Sequence, residues 1–79
     1  RNSTYPLIAK KRGWQGRVVV QIRLDAGGGL IDVQVTEESK YPVFDDAALA
    51  LVKKVLEQPY PHYLEKEVVL KLPITYRLR

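Results

Sequence analysis

Apolar and polar residues alternate with a period of two in three segments of the chain, at residues 17–25, 30–37 and 68–79. The apolar positions that share one face are Val18, Val20, Ile22 and Leu24 in the first segment, Ile31, Val33 and Val35 in the second, and Val68, Leu70, Leu72, Ile74 and Tyr76 in the third. Strict alternation is typical of a strand that is buried on one side. We therefore predict three amphipathic strands.

Three consecutive glycines, Gly27, Gly28 and Gly29, separate the first two strands. A glycine-rich loop that holds phosphate opens a helix, whereas this one joins two strands. We therefore predict a β-hairpin turn rather than a phosphate site.

Two other segments have signals of helices. Residues 5–12 contain Pro6 at a position suited to a first turn, end in three cations, and are followed by Gly13, which is a common stop signal; Gly16 then allows the chain to turn. A longer helix begins after Tyr41 and Pro42 and ends before Pro59. Its apolar face consists of Phe44, Ala48, Leu51, Val52 and Val55, with Asp45 and Asp46 in the first turn and Lys53 and Lys54 in the last. A loop through Tyr60, Pro61, His62 and Tyr63 is expected to follow.

The order helix, strand, strand, helix, strand predicts an α+β fold in which two helices pack on one face of a three-stranded antiparallel sheet. The expected spatial order is second, first, third, which makes the third strand an edge. Pro73 supports this position, because proline has no N–H to donate and is confined to edge strands with its nitrogen turned outward. Backbone groups alternate in direction along a strand. The N–H and C=O groups of Val69, Lys71, Thr75 and Arg77 should therefore point the same way as the nitrogen of Pro73. An uncovered edge of this kind is a template for another strand.

The length of 79 residues fits one domain, with 46% hydrophobic residues and neither Cys nor Met. The net charge of +4 is too small to choose among nucleic acid, lipid and acidic proteins as partners. No apolar stretch is long enough to span a bilayer, and because the chain opens with Arg1 we interpret it as a piece of a longer protein.

Candidate catalytic or ligand-binding residues are sparse. His62 is the only histidine, and Ser3 and Ser39 have no motif of a nucleophile around them. The adjacent pairs Glu37–Glu38 and Asp45–Asp46 are poor acid/base dyads. Trp14 is interpreted as a packing residue at the corner between helix and strand rather than as a stacking platform for a ligand. We expect no enzyme, no cofactor and no metal site.

Cations on the polar face of the predicted sheet leave one alternative open. These cations are Arg17, Arg23, Lys71, Arg77 and Arg79. Sheets that bind single-stranded nucleic acid combine such cations with exposed aromatic residues, whereas Tyr76 is predicted to face inward. We therefore expect no nucleic acid as partner and keep a nucleic-acid-binding module only as an alternative.

Several short motifs occur in an order and spacing that resembles one family. They are Tyr5-Pro6, Ala9, Gly13, Gly16-Arg17-Val18, the helix start Phe44-Asp45-Asp46-Ala47-Ala48-Leu49, Pro59, and Leu72-Pro73-Ile74-Thr75-Tyr76. From Tyr5 to Leu78 the chain resembles the C-terminal domain of TonB-type energy transducers. The expected domain is then residues 1–79, a TonB-like periplasmic domain of a longer protein.

The resemblance implies a function in active import across a Gram-negative envelope. The parent protein would be anchored in the inner membrane by a segment absent from this chain, driven by a motor complex there, and would bind outer-membrane transporters of siderophores or other metal complexes through their TonB box. The implied partner-binding residues are Val69, Lys71, Pro73, Thr75 and Arg77, and less strongly Asn2, Ser3 and Thr4. An envelope interaction domain without energy coupling is a further alternative, and the open edge predicts either a monomer or a strand-exchanged dimer.

Overall fold

The computed structural model describes residues 5–57 and 64–78. Within them the chain forms, in order, α1 (Leu7–Arg12), β1 (Gly16–Leu24), β2 (Leu30–Glu37), α2 (Pro42–Val55) and β3 (Val68–Tyr76). The strands form one antiparallel sheet in the order β2-β1-β3, so the predicted fold class and strand order are confirmed. The predictions for Asn2, Ser3, Thr4, Arg79 and the loop with His62 lie outside the described residues.

The first helix is shorter than its sequence pattern suggested. Pro6 is at the N-cap with extended backbone (φ −59°, ψ 136°), so the prediction that it occupies the first turn is wrong. Gly13 ends the helix in the left-handed conformation (φ 72°), which glycine adopts without a steric penalty, and the three cations of the last turn face the negative end of the helix dipole. Ala9 is fully buried and anchors α1 in the core.

The glycine segment forms the predicted hairpin turn, and Asp25 organises it. Its Oδ1 accepts hydrogen bonds from the N–H groups of Gly27 and Gly29 at 2.9 and 2.8 Å, and Gly28 has a φ of 88°. The register shifts just after the turn, since Arg23 pairs with Asp32 but Leu24 pairs with Leu30. Ile31 is the extra residue of this bulge and is 42% exposed, so the prediction that it faces inward is wrong.

The second helix lies over β1 and β2 rather than over β3. Asp45, in its first turn, accepts a hydrogen bond from the Ser39 N–H at 2.8 Å, which ties the loop before α2 to the helix. Asp46 follows that first turn rather than lying in it. Lys53 and Lys54 occupy the last turn, as the sequence predicted.

The core lies between the sheet and the helices. Its buried side chains are Ala9, Val18, Val20, Ile22, Leu24, Phe44, Ala48, Val52 and Tyr76. Phe44 stacks on Tyr76 with 4.6 Å between ring centroids, and Tyr5 meets both rings edge-on. Such aromatic pairs stabilise by about 0.5–1.5 kcal/mol each beyond the area that they bury. This aromatic cluster joins the start of α1, α2 and the end of β3.

Gly16 has a different role from the one that the sequence suggested. It is the first residue of β1, and its φ is not positive, so it does not serve as a turn residue. A Cβ at this position would lie 3.0 and 3.2 Å from two carbons of the Phe44 ring. The missing side chain therefore makes room for Phe44.

Tyr76 carries a buried hydroxyl. The residue is 3% exposed, and among the described residues its hydroxyl oxygen has no hydrogen-bond partner. Burial raises the pKa of Tyr76 above the ordinary value for tyrosine, because the apolar surroundings disfavour the phenolate. The side chain is a packing group, neutral at physiological pH.

Candidate functional site

β3 forms one edge of the described sheet, since its only strand neighbour there is β1. The two strands pair without a register shift from Gly16 opposite Tyr76 to Leu24 opposite Val68. Pro73 lies in the middle of this ladder, opposite Val19. The edge position of β3, which Pro73 predicted, is therefore confirmed for the described part of the chain.

The five residues predicted to bind a partner are brought together along this edge. Val69, Lys71, Pro73, Thr75 and Arg77 are all exposed. The first four alternate with the residues of β3 that lie on the side of the helices, and so project from the face of the sheet that no described helix covers, whereas Arg77 follows the end of β3. We call this face the open face.

Cations dominate the open face beside the edge. Arg17 lies opposite Thr75, Arg23 opposite Val69, and Lys71 opposite Gln21. Neither β1 nor β3 contains an acidic residue, and the two of β2, Asp32 and Glu37, lie opposite Arg23 and Val19, two strands away from the edge. A ligand that approaches β3 on this face therefore meets a surface of positive charge.

Val19 is an apolar exception on the open face. It is only 5% exposed although it does not belong to the core cluster on the helix side. Its neighbours across the ladder are Pro73 and Glu37. The sequence predicted the face that Val19 occupies but not its burial.

The helix side of β3 has an apolar groove that the sequence analysis did not find. Because α2 lies over β1 and β2, Leu70 and Leu72 remain 48% and 43% exposed although they were predicted to face the core. Val55, at the end of α2, is 66% exposed. Two adjacent clefts of about 310 and 340 Å³ follow this boundary, and together we call them the α2–β3 groove. Its lining consists of Ile22, Leu24, Leu51, Val52, Val55, Leu56, Leu64, Val68, Leu70, Leu72, Pro73 and Ile74.

Trp14 packs at the corner between α1 and β1. Its ring stacks on Tyr41 at 4.3 Å and 7°, next to the start of α2. This contact agrees with the packing role that the sequence predicted.

The described residues define the class of the protein by its fold: a small α+β domain with a strand edge that lies between a cationic face and an apolar groove. The family described as "Gram-negative bacterial TonB protein C-terminal" matches residues 1–78. The chain belongs to this family.

Individual relatives agree with that assignment. The chain is 34% identical to Protein TonB of Helicobacter pylori over 76 residues, which are 95% of the chain and 26% of that protein. It is 36% identical to Protein TonB of Vibrio cholerae over 77 residues, covering 94% of the chain and 31% of the relative. The chain thus spans about a quarter to a third of the length of these relatives.

A solved structure has the same fold. The NMR solution structure of Helicobacter pylori TonB-CTD superposes with a TM-score of 0.78 at 35% sequence identity, over 95% of this chain and 68% of that chain. Among the described residues, no helix is long and apolar enough to cross a membrane.

Proposed function

We propose that this domain captures an extended segment of an outer-membrane transporter, the TonB box, by adding it as a fourth strand to β3. The parent protein is then an energy transducer, anchored in the inner membrane by a segment outside this chain and coupled there to a motor complex. The domain works in the periplasm, catalyses no reaction, and transmits force for active import. The observation that carries the proposal is the uninterrupted β1–β3 ladder through Pro73.

The β1–β3 ladder supports the proposal that backbone N–H and C=O groups are available on the side of β3 that points away from β1. In an antiparallel pair, each residue directs its N–H and C=O to the same side, and successive residues alternate between the two sides. Pro73 has no N–H to donate, so the β1–β3 ladder loses no hydrogen bond only if the nitrogen of Pro73 points away from β1. We infer that Val69, Lys71 and Thr75 have the same orientation and offer their backbone N–H and C=O groups to a partner strand.

Backbone pairing of this kind accounts for capture of a flexible segment. Main-chain hydrogen bonds contribute affinity that depends little on sequence, and each typically adds about 0.5–1.5 kcal/mol net. Several such bonds along one edge hold a strand in a fixed direction. A force directed along such a strand would load all of its hydrogen bonds together.

The alternative of nucleic-acid binding has less support. The cations of the open face are present, but its described residues on the three strands include no aromatic side chain on which a base could stack. The described tyrosines and Trp14 are half-buried or buried. Binding of a single-stranded oligonucleotide at low salt, lost as salt rises, would favour this alternative.

Binding of a synthetic TonB-box peptide to two variants at one position tests the proposal. Thr75→Pro removes the inferred outward N–H, whereas Thr75→Ala removes the side chain and keeps the N–H. We expect Thr75→Pro to weaken binding by about five- to tenfold and Thr75→Ala to leave it within about twofold, measured by isothermal titration calorimetry. Circular dichroism checks that both variants fold. Equal affinity of the two folded variants for the peptide would contradict capture through the backbone of β3.

A further inference from the structure

The α2–β3 groove lies beside the edge of β3 and is exposed and apolar. We propose that this groove selects the partner segment by its pattern: an apolar side chain at every second position, with acidic residues between them. The inference rests on the proposed function, since it concerns the side chains of the strand that pairs with β3.

Strand geometry places alternate side chains of the partner in the groove. A strand added to β3 lies about 4.8 Å from it, and its successive side chains point to opposite faces of the sheet. Those on the helix side fall next to Leu70, Leu72 and Ile74, which line the groove from below. Leu51 and Val55 of α2 line it from above. Apolar side chains at these positions remove exposed leucine and valine surface from water.

The size of the groove suits several side chains rather than one. A cavity of about 150 Å³ is enough for a group as large as benzene, and each of the two clefts is about twice that volume, at 310 and 340 Å³. The clefts follow one another along β3, one next to Leu72 and Ile74 and the other next to Val68 and Leu70. The alternate side chains of an extended segment also lie in a row along the strand, so their arrangement matches that of the two clefts.

The charges of the open face determine which residue type is favoured at the partner's positions between the apolar ones. There the partner's side chains lie beside Lys71, with Arg17 and Arg23 on the next strand. The direct and diagonal neighbours of Lys71 on β1 are Gln21, Val19 and Arg23, none of them acidic. Acidic residues in the partner complement these cations, and basic residues are repelled.

Three synthetic peptides as long as β3 (9 residues) test the inference. The first alternates valine and glutamate, the second has the same composition in adjacent pairs, and the third alternates valine and lysine. We expect the first to bind at least about tenfold more tightly than either of the others, by calorimetry at low salt. Equal affinity for the first two would overturn the role of the groove, and equal affinity for the first and third would overturn the role of the cations.

Variants of the domain assign the effect to the groove. Val55→Ser changes an exposed groove residue, and Leu7→Ser changes a residue of α1 with matched exposure, 66% against 67%. Val55→Ser should weaken binding of the valine–glutamate peptide by about fivefold, and Leu7→Ser by less than about twofold. Equal effects of the two variants would contradict the inference.

A TonB-box peptide distinguishes the inference from the proposed function. If this peptide binds wild type and depends on the backbone at Thr75, but its affinity is unchanged by Val55→Ser, the groove proposal fails and strand addition stands. If neither the TonB-box peptide nor the valine–glutamate peptide binds β3, both proposals fail together.

Discussion

Replacing Gly16 by alanine tests how the core is assembled. The new Cβ would lie 3.0 Å from Cδ2 and 3.2 Å from Cε2 of Phe44, whereas carbon atoms are best placed at about 3.5–4.0 Å. The ring would have to move by about 0.5 Å. It has little freedom to do so, because Phe44 is fully buried, stacks on Tyr76 and is flanked edge-on by Tyr5 and Tyr41.

The change in the free energy of unfolding caused by Gly16→Ala is the sum of two opposing effects. Overpacking of a well-packed core lowers stability by about 1–3 kcal/mol. The smaller conformational freedom of alanine in the unfolded chain offsets about 0.5 kcal/mol of this loss. We therefore expect Gly16→Ala to lower the free energy of unfolding by about 0.5–2.5 kcal/mol and the Tm by about 2–20 °C. A chain of this length has about 4–12 kcal/mol in total, so the variant remains folded.

Urea denaturation measures this change, with an unchanged m value showing that the unfolding reaction is the same. Gly27→Ala is the control, since its Cβ would make an ordinary contact of 3.4 Å with Asp25, and its stability should be unchanged or up to about 1 kcal/mol higher. In a double-mutant cycle with Phe44→Leu, the penalty of Gly16→Ala should fall by at least about 1 kcal/mol. An undiminished penalty in the Phe44→Leu background would refute the assignment of this space to the ring.

Two further substitutions test the buried hydroxyl and the hairpin turn by urea denaturation. Tyr76→Phe should raise stability by about 1–2 kcal/mol, because it removes a hydroxyl without a partner among the described residues; a loss of 1 kcal/mol would show that the hydroxyl is bonded. Since burial raises the pKa of Tyr76, wild type should also lose stability as pH rises above about 10, and Tyr76→Phe should lose less; equal losses would show that Tyr76 is not the cause. Asp25→Ala should lower stability by about 1 kcal/mol through loss of the bonds to Gly27 and Gly29, and Asp25→Asn, which keeps an acceptor, by less. Equal losses in the two Asp25 variants would contradict this role.

The fold was largely predictable from the sequence because each element has a clear period and clear end signals. Alternation defined the strands, and Pro73 with strand parity placed β3 at the edge. Local patterns could not show where one residue is added to a ladder, so the bulge at Ile31 was missed. The role of Gly16 depends on Phe44, 28 positions along the chain by their numbers, and no local signal connects the two.

The candidate site was predictable in part for the same reason. The period of two identified which residues of β3 share a face, and the structure agrees. Whether an apolar face is covered depends on where a helix lies across the sheet. The alternation that marks Leu70 and Leu72 as inward is the same whether α2 covers them or not, so the α2–β3 groove is visible only in the structure.

The most direct test of strand addition at β3 is an NMR titration of the ¹⁵N-labelled domain with a TonB-box peptide. We expect the amide signals of Val69, Lys71 and Thr75 to shift most, because their N–H groups would gain partners in the added strand. Signals of β2, such as that of Gln34, should change little, since β1 separates this strand from the binding edge. Shifts confined to the hairpin and β2, with the amides of β3 unchanged at saturation, would contradict strand addition at β3.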